Sequence, residues 1–323
     1  MNPRVFNAAV ALAFAACTAA AQAASGWPSQ PVKIIVPFPA GGSTDLTARQ
    51  LAQGLSNALG QPFVVENKPG ASSTIGTEYV SRSKGDGYTF LVTSSHFTIV
   101  PGLYQKLPYD PLKDLKPVSM LVRLPVVLVA AKSLPVSNVK ELIAYDKSHP
   151  GKLNFGSSGA GGVNHLSGEL FNALAGTKLT HVPYKGTAPA MQDLIGGHVQ
   201  LMFDAISSSL PNIKAGLIKP LAWTGAQRAP VLPDLPTVAE SGVSGYSSTS
   251  WLAMFAPAGT PDDVIRKISE EGRAILNRPE LKTQQEALGI EVVTSTPGEL
   301  DEVVHAEMPK WSELIGKIGV KAN

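Results

Sequence analysis

The chain has 323 residues, enough for one large or two ordinary domains. Hydrophobic residues make up 44% and charged residues 16%, and the net charge is +2. This suits a packed globular protein and, with no basic block or stripe, excludes a nucleic-acid footprint. The single cysteine, Cys17, excludes a disulfide framework.

Residues 1–24 read as a signal peptide. Arg4 gives a positive start, 8–16 is an apolar run, and Ala21-Gln22-Ala23 is a small-x-small cleavage site. Ala24 is the expected mature start, or the residue after it. The run is too short to span a bilayer, and no later segment reaches about 18 unbroken apolar residues. Export to the periplasm and removal of the segment are expected. Phe14-Ala15-Ala16 lacks a Leu three residues before Cys17, which favours an ordinary signal residue over a lipid anchor.

Beyond Trp27-Pro28, short apolar runs alternate with helical stretches. Strands are predicted over 32–36, 63–66, 89–93, 120–124, 126–130, 153–155, 180–182, 199–204, 219–223, 251–256 and 290–294. Most are rich in Val, Ile, Leu and Phe and lie between helices, as buried strands of parallel sheets do. Helices are predicted over 44–59, 75–83, 138–149, 162–174, 188–196, 261–276, 279–288 and 297–318. Pro261, Pro279 and Pro297 match the first-turn preference for Pro. The β-α-β-α order argues a doubly wound α/β architecture.

Near Leu124-Pro125-Val126, and again from Tyr246 to Trp251, one apolar run passes directly into another. Two such crossings predict two lobes: 25–127 plus 251–323, and 128–250, with one large sheet as the alternative. Two lobes around a cleft are the arrangement of ligand-capturing clamps.

The first candidate site is Pro37-Phe38-Pro39-Ala40-Gly41-Gly42-Ser43-Thr44-Asp45, a Gly-rich loop between a strand and a helix. The helix turns its unpaired N–H groups and positive dipole end toward the loop, which suits an anion. A similar loop, Gly156-Ser157-Ser158-Gly159, follows 120 residues later, leading through Gly161-Gly162 to His165. One loop from each lobe would hold a carboxylate by hydrogen bonds and helix dipoles, without a cationic side chain. Arg49 lies about one turn inside the first helix. His165 reads as a ligand hydrogen bond or a helix-face residue, and His181 as structural. Asp204 ends a strand, where it either faces the crevice and accepts from a ligand hydroxyl or ammonium, or caps the next helix.

Other chemistries fit less well. The glycines at 159, 161 and 162 lack the dinucleotide spacing. Gly156-Ser157-Ser158-Gly159 is one residue short of the hydrolase elbow. Lys185, between Pro183-Tyr184 and Gly186, reads as a solvated turn lysine. The six histidines show no metal-ligand spacing. No catalytic residue, metal or cofactor is expected.

Several segments together resemble the Bug family, the extracytoplasmic solute receptors of tripartite tricarboxylate transporters. They are 36–45, Glu66-Asn67-Lys68-Pro69-Gly70-Ala71, Asp86-Gly87-Tyr88-Thr89, 156–159 with 165–171, and His181-Val182-Pro183-Tyr184-Lys185-Gly186. Met202-Phe203-Asp204, 232–242 and 255–261 complete the set, so the resemblance spans the mature chain. It implies a two-lobed periplasmic binding protein fold, type II-like, with two chain crossovers and a ligand cleft between the lobes. It also implies capture of a small carboxylate solute, a membrane permease as partner, a monomer and no enzymatic activity. By resemblance, the ligand-binding residues are Phe38, Ala40, Gly41, Ser43 and Thr44 from the first loop and Ser157, Ser158, Gly159 and His165 from the second. Asp204 is implied as a specificity residue, and Ser94 with Ser95 as a weaker pair. The chain departs from the family's pattern at Pro69-Gly70-Ala71-Ser72-Ser73 and at Val100-Pro101-Gly102-Leu103-Tyr104. A sensor for a signalling partner and a periplasmic enzyme acting on a carboxylic acid are the rival functions.

Overall fold

The computed structural model describes residues 26–287 and 289–321. The expected signal segment with Cys17, and Leu288, the expected end of one helix, lie outside the described residues. The chain begins β1 (Val32–Val36), α1 (Ser43–Leu59), β2 (Phe63–Asn67), α2 (Thr74–Ser81), β3 (Thr89–Ser94), α3 (His96–Leu103) and β4 (Leu115–Leu124). It continues β5 (Val126–Ala131), α4 (Val139–Ser148), β6 (Asn154–Ser157), α5 (Val163–Ala175), β7 (Thr180–Pro183), α6 (Thr187–Gly196), β8 (Leu201–Ala205), α7 (Ile206–Lys214) and β9 (Ile218–Trp223). It ends β10 (Ser250–Pro257), α8 (Asp262–Leu276), α9 (Pro279–Ala287), β11 (Glu291–Val292) and α10 (Pro297–Ile318).

The strands form two sheets, β11-β4-β10-β3-β1-β2 and β7-β6-β8-β5-β9. Only Pro125 separates β4 of the first from β5 of the second, and the chain returns to the first sheet before β10. This is the two-lobed fold with two crossings. Each apolar run fills its sheet: β1 is enclosed by parallel β2 and β3 and is exposed only at Lys33.

The sheets are mixed rather than parallel, which corrects the expectation from the apolar runs. β10 runs antiparallel to β3 and β4, and β5 antiparallel to β8 and β9. The crossing strands cause this. They enter each sheet straight from the other, with no crossover helix to reverse the chain.

Two further helices occupy stretches where none was predicted. α3 (HFTIVPGL) carries β-branched residues, Pro101 and Gly102, and is nearly fully buried. α7 (ISSSLPNIK) is short, Ser-rich and contains Pro211. Local preference is poor in both, and packing decides. Pro279 and Pro297 open their helices as expected, while Pro261 stands one residue outside α8 as its N-cap.

Each sheet carries a core on both faces. In the first, Val32, Ile34 and Val36 pack under α1 and α8. On its other face Ile35, Leu91 and Phe255 meet Phe97 of α3 and Leu300 and Val304 of α10. In the second sheet Leu128, Phe155 and Phe203 pack under α5. That core also receives Ile99 and Leu103 from α3, and Trp311, Leu314 and Ile315 from the end of α10. α3 and α10 therefore reach from one lobe's core into the other's.

Candidate functional site: two glycine loops

β1 and β6 each end in a glycine loop that opens a helix. The two loops have the same conformation. Gly41 and Gly161 lie at φ 85° and 78°, a left-handed region that glycine enters without the steric penalty of a Cβ. Gly42 and Gly162 then stand as the N-caps of α1 and α5, at φ −77°, ψ 167° and φ −80°, ψ 167°. Neither helix has a side-chain cap. The N–H groups of both first turns stay without a capping oxygen, and both helices keep their positive ends open.

A shared sequence underlies the shared shape. Ala40-Gly41-Gly42-Ser43-Thr44-Asp45-Leu46-Thr47-Ala48-Arg49 aligns without a gap on Ala160-Gly161-Gly162-Val163-Asn164-His165-Leu166-Ser167-Gly168-Glu169, 120 residues on. The likeness between the loops thus extends two turns into each helix. Sequence reasoning compared only the glycines and missed it.

In the first loop Asp45 is 2% exposed. Its carboxylate accepts from the Gly41 N–H at 2.9 Å, Arg49 Nε at 3.0 Å and Asn67 Nδ2 at 2.9 Å. The hydrogen bond from Arg49, working against burial, holds the Asp45 carboxyl down at about 2. Arg49, the cation nearest the loop, is thereby tied to Asp45 and Asn67. The first loop already has a built-in anion at its helix end. Ala40, Gly41 and Ser43 are exposed, Phe38 is half-buried, and Thr44 is buried.

In the second loop Ser158 is exposed and Ser157 fully buried. Ser157 Oγ bonds the Gly159 carbonyl at 2.9 Å and His181 Nε2 at 2.6 Å, and it accepts from the Gly159 N–H at 3.2 Å. His165 is 3% exposed. Its Nδ1 accepts from the Gly161 N–H at 3.0 Å, and its ring stacks on His181 with centroids 3.7 Å apart. Burial, then the neighbouring His165, pushes His181 down to about 4. Ser157 and His165 therefore serve the loop's own structure. His181 is part of that structure too.

Asp204, at the end of β8, is 1% exposed. Its Oδ2 accepts from the hydroxyls of Ser208 and Ser209, and its Oδ1 lies 3.5 Å from Asn164 Nδ2. Burial, opposed by those hydroxyls, raises its pKa. The carboxylate is thus tied to the first turn of α7, through side chains rather than as a backbone cap. Ser94, 7% exposed, bonds His96 Nδ1 at 3.1 Å, and His96 meets the Phe38 ring edge-on at 5.8 Å. Lys185 is exposed in a bend.

α3, absent from the predicted elements, joins the loops. Its first residue, His96, touches Phe38 of the first loop. Its last, Leu103, lies 3.1 Å from where a Cβ on Gly161 would stand. A cavity of about 240 Å³ lies instead at the crossings, lined by Arg123, Trp223, Trp251 and Glu307 among others. None of the candidate loop residues lines it. Among the described residues no group of His, Cys, Asp or Glu is placed to hold a metal ion, and no helix is long and apolar enough to cross a membrane.

The profile of the tripartite tricarboxylate transporter family receptor matches residues 47–320. The chain belongs to this receptor family. BugT of Bordetella pertussis, a relative, is 36% identical, with 94% of each chain covered. R. palustris Rpa4515, solved with adipate, is 39% identical with a TM-score of 0.77, over 91% of this chain and 99% of that one. MatC of Rhodopseudomonas palustris, solved with bound malate, is 34% identical with a TM-score of 0.73, over 90% and 100%. The family's periplasmic binding fold is therefore this chain's fold, and the two glycine loops stand on it.

Proposed function

We propose that this protein is a periplasmic, non-enzymatic receptor that captures a small carboxylate solute between its two glycine loops and delivers it to the membrane permease of a tripartite transporter. Residues 1–24 direct export, and the mature chain works as a monomer. The lobes are 25–127 plus 251–323, and 128–250. The observation that carries this reading is the pair of uncapped helix ends behind loops of matching conformation. Two such ends with exposed hydroxyls at Ser43 and Ser158 form a receptor for an anion that needs no free cation. Adipate and malate, named for two similar structures, are both dicarboxylates.

Asp45 sets a negative charge in the first turn of α1 without capping its amides, so the second loop carries more of the ligand's charge. Phe38, Ala40, Gly41, Gly159 and the two hydroxyls contact the ligand. Thr44, Ser94, Ser157, His165 and Asp204 support the walls. Lobe closure gives the permease a surface that differs between loaded and empty receptor.

Adipate and malate titrated into the purified mature chain by calorimetry and thermal shift test the reading. A bound diacid raises the melting temperature and is recovered unaltered. Ser43→Ala with Ser158→Ala weakens binding about tenfold or more, from two lost hydrogen bonds of about 1 kcal/mol each. The unfolding midpoint stays put. Unchanged affinity in the double variant would remove the two-loop site, and turnover of the diacid would remove the receptor.

A further inference from the structure

Both glycine loops are held by the same device. The N–H of Gly41 points back to Asp45, four residues on, and that of Gly161 to His165, also four residues on. A further side chain, four residues beyond, backs each acceptor: Arg49 behind Asp45, and Glu169 behind His165, with Glu169 Oε1 3.6 Å from His165 Nε2. The polarity is inverted between the two. A carboxylate backed by a cation in one loop answers an imidazole backed by a carboxylate in the other.

The chemistry fixes the imidazole's form. Nδ1 accepts from Gly161, so it carries no proton, and the ring's proton sits on Nε2, facing Glu169. The ring is buried between Gly161, His181 and Phe155. Of the loop's amides, those of Gly159 and Gly161 are engaged within it. Those of Ser158, Ala160 and Gly162 take no acceptor among the described residues.

We propose that His165 is a positioning residue, not a ligand contact. Its bare Nδ1 locks the Gly161 amide, and the locked amide gives the loop the shape that leaves its remaining donors to the ligand. Asp45 is its counterpart in the first loop. The role rests on the carboxylate-receptor reading, but the lock itself exists without ligand and can be measured alone.

The counterpart also designs the test. Asn, like Asp45, offers an acceptor oxygen at this position; Leu offers none. In the ligand-free protein, Gly161 amide exchange followed by NMR should run about fivefold faster or more in His165→Leu, the equivalent of one lost hydrogen bond. It should stay near the wild-type rate in His165→Asn. Adipate affinity should follow the same order, lower in His165→Leu and restored in His165→Asn. Should His165→Leu not fold, Glu169→Met serves: without the facing carboxylate the ring proton is free to move to Nδ1, and Gly161 exchange should again rise. Unchanged Gly161 exchange in the folded variant overturns the proposal. So does faster exchange with unchanged adipate affinity. A wild-type protein that ignores both adipate and malate would count against the carboxylate reading, while the exchange rates would still decide the lock.

Discussion

Asp45→Asn tests the first loop's electrostatics directly. The Asp45 carboxyl sits near 2 in the fold against an ordinary 3.8. At about 1.4 kcal/mol per unit, that difference is worth about 2 kcal/mol of stability. The folded value lies below the unfolded one. The stabilisation is therefore complete above about pH 4 and is lost as the pH falls through about 2. An amide at this position keeps the size but loses the charge that holds Arg49, and it cannot accept from Gly41, Arg49 and Asn67 together. Asp45→Asn should cost about 2 kcal/mol at pH 7 and about half of that at pH 3, where Asp45 is mostly protonated in the unfolded chain but still mostly charged in the folded one. Urea unfolding at the two pH values, followed by tryptophan fluorescence, reads both numbers. Equal unfolding free energies at pH 7, or a difference that does not shrink at pH 3, would refute the reasoning.

Two further outcomes follow from the second loop. His181 is held at about 4 by burial and by His165 beside it, with Glu169 opposing; Ser157 and Phe155 complete its surroundings. Its folded value lies below the ordinary 6.5, so the unfolded chain takes the proton first and stability is lost as the pH falls from about 6.5 to 4. His181→Gln should remove about 2 kcal/mol of that pH dependence after allowance for partial exposure, and a slope matching the wild type in urea titrations would rule this out. A Cβ on Gly168 would stand 2.3 Å from the Phe155 ring, which stacks with His165 and lies tilted against His181. Gly168→Ala gains up to about 1 kcal/mol of helix preference but loses about 1–3 kcal/mol to overpacking. A net lower urea midpoint is expected, and a raised one would show that the ring yields freely.

The elements legible in the sequence were those whose pattern serves one purpose. β1, a run of Val and Ile between turn signals, needs only burial, and α1 places Thr47, Ala48, Leu51, Ala52 and Leu55 on one face. α3 and α7 were illegible because their helical state is imposed by packing against preference. The antiparallel course of β5 and β10 depends on which sheet the chain enters, which no local pattern records. The loops were legible from their glycines as turns that open helices. What separates Ser158, exposed, from Ser157, buried on His181, is a difference of one residue at a strand end, and only the fold decides it. Asp204 shows the same limit. Its place at a strand end was readable, but the hydroxyls of Ser208 and Ser209 that occupy it come from the unpredicted α7.

α10 begins over the first sheet with Leu300 and Val304 and ends with Trp311, Leu314 and Ile315 in the core of the other lobe. Between them Glu307 accepts from Trp251 of β10 at 3.0 Å, and Lys310 donates at 2.7 Å to the carbonyl of Ser247, in the segment that leads into β10. The lobes are thus joined by this helix, which carries Pro309 between its two seatings, as well as by two crossings of the chain. Any motion that unseats Trp311 is opposed by the burial of its whole indole. The closure proposed above would therefore have to keep or break these seatings, so the C-terminal helix constrains it in a way that two strand crossings alone would not.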